Sequence, residues 1–131
     1  MRPVSMAGVF LVLSLSCAGS SLAATRYVNV SNATPAAPYT NWGMAATAIQ
    51  PAIDEAATGD EILVAPGTYS LAGSSVNIPA EKTLALRSTQ SRAAIIDAQG
   101  LSPGVWILGT NSVLEGFTVR NGLNGSRGGG I

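Results

Sequence analysis

The chain has 131 residues, seven lysines and arginines against seven aspartates and glutamates, and no histidine. That length allows one domain or part of one, and the balanced charge excludes a broad basic face for nucleic acid. With 11% charged and 47% hydrophobic residues it is no disordered polyampholyte, and without histidine it holds neither a Ser-His-Asp triad nor an imidazole zinc site.

Residues 1–23 carry the three parts of a secretory signal peptide: Arg2, the apolar run Val4 to Leu15, and small residues at Ser21 and Ala23 before a cleavage site. The run falls short of the roughly 20 residues of a spanning helix, which disfavours an uncleaved anchor. Cleavage removes Cys17, the single cysteine, so the mature chain 24–131 must fold without disulfides. No second apolar run spans a bilayer. The expected location is secreted or cell surface.

Arg26–Val30 alternates like a short strand, and Pro35 and Pro38 keep the following stretch to Asn41 irregular. Residues 44–57 read as a helix with Ile49, Ile53 and Ala56 or Ala57 on one stripe. Thr47 and Gln50 have capping-box spacing, which puts Pro51 in the first turn, and Gly59 is the expected stop.

Past Gly59, short β-prone runs alternate with turns: 61–65, 75–78, 83–87, 94–97, 105–108 and 112–119. Comparable runs are separated by near twenty residues in the first two turns, judged by Val64 and Leu86, and the later spacing is longer and less regular. A hairpin sandwich and a coil of stacked strands both fit such runs. Three features favour the coil. Two-residue hairpin signals are missing. Ile62-Leu63-Val64 and Ala94-Ile95-Ile96 are continuously apolar, as in buried parallel strands. An amphipathic helix precedes the first run, where an open stack needs a lid.

Several motifs together carry a family resemblance. They are Tyr39-Thr40-Asn41-Trp42, then Ile49-Gln50 leading to Ala52-Ile53-Asp54, then the stretch from Gly59-Asp60-Glu61 to Pro66-Gly67-Thr68-Tyr69. Ala94–Asp97 and Leu114–Gly122 continue it. Together they resemble the N-terminal part of secreted bacterial right-handed parallel β-helix proteins of the pectin-lyase-like superfamily. Gly128-Gly129-Gly130-Ile131 is similar to the repeats of polymorphic outer-membrane proteins. The resemblance implies an all-β fold with one N-terminal capping helix, a right-handed β-helix truncated to about two to three rungs of roughly 20–25 residues. Such proteins run for many rungs, so a chain stopping at Ile131 reads as a fragment whose open C-terminal rung invites self-association.

The candidate chemistry is sparse. Polygalacturonase-type relatives of the fold use carboxylates beside a histidine, and pectate-lyase-type relatives use an arginine in an Arg-x-Pro setting; this chain has neither. Asp97 and Glu115 are the acids open to trial as a glycosidase pair. Each has a plainer role, Asp97 in a turn and Glu115 facing outward on a strand. Two adjacent acid pairs, Asp54-Glu55 and Asp60-Glu61, suggest a metal, but the first diverge on a helix and Asp60 fits a turn, so neither pair makes a metal site. No catalytic residue, metal or cofactor is expected. Gly128–Gly130 lacks the Lys-Ser or Lys-Thr of a phosphate loop and the Asp of a calcium repeat. Tyr39, Trp42 and Tyr69 are expected to pack the helix onto the first run, while Trp106 faces either the core or a groove. Trp106 is thus the one candidate substrate-binding residue, toward a polysaccharide or a cell-surface glycan. Sequons at Asn29, Asn32 and Asn124 carry little weight in a bacterial protein.

The function expected from sequence is a non-catalytic exported scaffold of adhesin or polymorphic outer-membrane type. The alternative is the N-terminal part of a polysaccharide lyase or glycoside hydrolase with its active rungs beyond residue 131. A carbohydrate-binding module resting on Trp106 is a third.

Overall fold

The computed structural model describes residues 23–123. Most of the leader, Cys17, Asn124 and the Gly128–Gly130 run therefore lie outside the described residues. The described chain forms nine short strands and one α-helix. The strands are β1 (Thr25–Val28), β2 (Glu61–Val64), β3 (Gly67–Ser70), β4 (Val76–Ile78), β5 (Ala85–Ser88), β6 (Ala94–Asp97), β7 (Val105–Ile107), β8 (Val113–Glu115) and β9 (Phe117–Arg120). The helix α1 is Ile49–Glu55, preceded by a 3-10 turn at Trp42–Met44.

Every strand pairing is parallel. A first sheet has the order β1-β2-β5-β8, a second β3-β6-β9, and a third β4-β7. From β2 onward the chain visits the sheets in strict rotation, first, second, third, and then begins again. The fold is thus all-β, parallel, with one helix.

The strands exist because alternate residues point inward. Ile62 and Val64 of β2 are fully buried, as are Ile96 of β6 and Val76 and Ile78 of β4. Together with Val28, Leu86, Tyr69 and Val105 they form one core, to which α1 adds Ile49, Ala52 and Ile53. Leu63 and Ile95, by contrast, are half-buried outward residues. The continuous apolar runs are therefore strands of the expected parallel kind, but with one buried face and one apolar outer face.

The structure changes several boundaries. The helix expected over 44–57 starts only at Ile49, because Ala46 is already committed to β1. Its N–H donates to the Tyr27 carbonyl at 2.9 Å, and its own carbonyl accepts from Asn29 N–H at 2.7 Å. The capping box does not form. Extended Ala48 occupies the cap position without a side-chain bond, and Asn41 caps the 3-10 turn instead. Pro51 sits in the first helical turn, where no backbone donor is needed.

The Pro-Gly-Thr-Tyr stretch, expected as a turn, is the strand β3. Tyr69 is its inward residue, and its hydroxyl donates to the Ala65 carbonyl at 2.8 Å and accepts from Val30 N–H at 3.2 Å. The run 112–119 is two strands divided at Gly116, whose φ of +81° turns the chain from the first sheet into the second. A side chain there would also press on Ser88. The spacing differs as well. Val64 pairs with Ser88, and Leu86 pairs with Ile62. Register partners lie 28 residues apart at Arg87 and Glu115 but 23 apart at Asp97 and Arg120.

Candidate functional site

The parallel register stacks outward side chains of one sheet directly above each other, about 4.8 Å apart. On the first sheet this builds a charged ladder. Arg87 of β5 donates through Nη1 to Glu61 of β2 and through Nε to Glu115 of β8, each at 2.7 Å. These two bonds, first the one to Glu115, raise the Arg87 pKa above its ordinary value. All three side chains are solvent-accessible, so the ladder organises the face more than it stabilises the fold.

Asp97 and Glu115 do not come together. Asp97 lies on β6 of the second sheet and Glu115 on β8 of the first. The Asp97 carboxylate accepts from Asn121 Nδ2 at 2.9 Å, from Gln99 N–H at 2.9 Å and from Arg120 Nε at 3.1 Å. Those bonds hold its pKa below the usual carboxylate value. Asp97 is thus the turn residue expected from sequence, with an ion pair added, and Glu115 is the outward strand residue.

Asp60 is almost wholly buried. It accepts from Ala24 N–H at 2.8 Å, from Ala57 N–H at 2.9 Å and from the Arg26 guanidinium at 3.2 Å. Burial pushes its carboxyl up, but the bonds from Ala24, Ala57 and Arg26 outweigh it, and the pKa is lowered. This residue ties the start of β1, the end of α1 and the start of β2 into one knot. Asp54 accepts from Gln50 Nε2 at 3.0 Å on the exposed side of α1. Among the described residues no three acids or cysteines gather as metal ligands.

The aromatics separate into two kinds. Tyr69 is buried and Tyr39 packs against the core. Trp42 meets Tyr27 of β1 edge-on with ring centroids 4.7 Å apart, so it covers the outer face of the first sheet more than it joins α1 to the core. Trp106 points outward from β7, 51% exposed, between buried Val105 and half-buried Ile107. Its register partner on β4 is Asn77, also outward and exposed. A flat indole beside a carboxamide is a surface able to stack on a ring and bond its hydroxyls.

Sequence reasoning placed Gln50 in a capping box and missed its bond to β4. Its Oε1 accepts from Asn77 N–H at 2.8 Å and its Nε2 donates to the Asn77 carbonyl at 3.1 Å. The side-chain amide therefore pairs with the edge of β4 as a neighbouring strand would. No local pattern announces such a bond, which needs the fold to bring α1 beside β4. Asn77 was likewise invisible until the register placed it next to Trp106.

Comparison with family models, curated proteins and solved structures finds no match. Among the described residues, no helix is long and apolar enough to cross a membrane.

Proposed function

We propose that this chain forms an exported, non-catalytic surface scaffold built as a right-handed parallel β-helix. One observation carries the reading: the chain returns to the same three sheets in fixed rotation, always in parallel register. In this reading β2-β3-β4 and β5-β6-β7 are successive rungs, β8-β9 begins another, and α1 is the cap. Parallel crossovers are right-handed in nearly all cases, which supports a right-handed coil. The signal-peptide pattern of residues 1–23 supports export. A scaffold of this kind works by its lateral faces, on which side chains stack in rows, and it needs no reactive constellation. Asp97 and Glu115, held by Arg120 and Arg87 on different sheets, are spent on the framework.

The face around Trp106 and Asn77 is the part of the scaffold suited to a polysaccharide or cell-surface glycan. Replacing Trp106 with Ala is expected to weaken retention on immobilised polysaccharide up to about tenfold, the value of one lost stacking contact. The unfolding midpoint should hardly move, because the ring is exposed. Retention unchanged by the substitution would remove the glycan from the reading. Export has a separate check: the mature N-terminus should be Ala24, and protease added to intact cells should digest the protein. Protection in intact cells, with Met1 or Arg2 still at the N-terminus, would overturn the surface role.

A further inference from the structure

The first strand of each sheet has one edge turned away from the strands that follow, and the molecule treats the three edges differently. At β1 the loop covers it: Tyr27 N–H donates to the Tyr39 carbonyl at 2.8 Å, and Ala46 bonds on both sides of Val28. At β4 the Gln50 amide answers both groups of Asn77. At β3 no described residue does this.

The register settles which groups of β3 are free. Gly67 N–H donates to the Ala93 carbonyl and Leu71 N–H to the Asp97 carbonyl, so the odd-numbered residues of β3 serve β6. The N–H and C=O of Thr68 and Ser70 then point the opposite way. They face a cleft of about 400 Å³ between β3 and α1, walled by Val30, Ile49, Gln50 and Tyr69. Its lining contains no lysine, arginine, aspartate or glutamate.

We propose that this free edge of β3 is a strand-addition site that takes an extended, uncharged peptide segment of another protein. Two donors and two acceptors in strand alternation are the complement of a peptide backbone. The apolar walls favour small aliphatic side chains on the segment. A charged side chain entering the cleft would lose water and meet no counter-charge. Recognition rests on the main chain, so it is broad in sequence and narrow in conformation.

The test uses the purified protein and a blocked hexapeptide of alternating valine and threonine, followed by amide resonances. The Thr68 and Ser70 amide signals are expected to move saturably on titration. The same peptide with N-methyl groups on alternate amides, made in both phases, should lose about tenfold in affinity in one phase, as two lost backbone bonds require. Ser70→Pro should abolish the shift at position 68 while sparing the β6 ladder, since the Ser70 N–H takes no part in it. The N-methylated peptides keep the test decisive if that variant misfolds. Absence of a saturable shift at Thr68 and Ser70, or equal binding by every peptide, would overturn the proposal. Shifts of these amides with protein concentration alone would assign the edge to a second copy instead. A shift of these amides on removal of residues 1–23, with no peptide present, would assign the edge to the leader instead.

Discussion

Residues of the same chemistry are buried to different depths at the two ends of the described structure. Beside α1, the inward residues Val28, Ile53, Ile62 and Val64 have no exposed surface. In β8 and β9, Leu114, Phe117 and Val119 occupy the matching inward register and remain half-buried. Hydrophobicity does not separate the groups. Coverage does: β2 has β1 on one side and β5 on the other, with α1 across its end, while β8 and β9 have one described neighbour each. In a parallel sheet an inward side chain is fully covered only when strands lie on both sides of its own.

The largest expected effect tests that contrast directly. Ile53→Ala removes a fully buried side chain from the core that α1 shares with the strands, and should cost about 4 kcal/mol in urea unfolding. Val119→Ala removes a half-buried one and should cost about 1 kcal/mol. Equal losses would mean that coverage by neighbouring elements is not what stabilises the end beside α1.

Next in size is Asp60, which lies at the end beside α1, set against Asp97, which lies at the end of β6. Asp60→Asn leaves the Arg26 guanidinium, with only 14% of its surface exposed, without its charge partner. That change should cost about 3 kcal/mol at neutral pH. The folded pKa of Asp60 lies below its ordinary value, so its contribution is present above that value. It is lost as pH falls below about 4, where the unfolded chain takes up the proton first. Stability measured from pH 7 down to 3 should therefore fall more steeply in the parent than in Asp60→Asn. Part of the slope should survive in the variant, because Asp97 has its pKa lowered too. Parallel curves for the two proteins would show that the Asp60 knot contributes nothing pH-dependent.

Local chemistry made some of this legible. The short β-prone runs between turn residues located most strands, and the lack of hairpin signals in favour of parallel pairing matched what forms. Asp60 and Asp97 could be read as turn residues because an aspartate between a helix and a strand, or before Ala-Gln-Gly, has backbone donors nearby. Gly67–Ser70 was hidden because Pro66-Gly67 punctuates like a turn, although Tyr69 is an inward strand residue. The helix start was misplaced because the claim of β1 on Ala46 is a contact across 18 residues that no window along the chain contains. Arg87 joins Glu61 and Glu115 across 26 and 28 residues, so the ladder existed only once the register was known. Trp106 was half legible: its strand was evident, its face was not.

The smallest expected effect concerns how α1 covers β4, and a second substitution isolates it. Gln50 bonds both to the Asn77 backbone and to Asp54, four residues along its own helix. If its value lies in the strand-like pairing, Gln50→Ala should cost about 1–2 kcal/mol, since the Asn77 N–H and C=O lose their partners. Asp54→Ala removes only the intrahelical bond and should cost about 0.3 kcal/mol. Hydrogen exchange at the Asn77 amide distinguishes the two more sharply than stability does. Its protection should be lost in Gln50→Ala and kept in Asp54→Ala, because only the first substitution opens the edge. Protection kept in both would mean that α1 covers β4 by its bulk alone. The difference between the covered edge of β4 and the open edge of β3 would then not rest on this one amide.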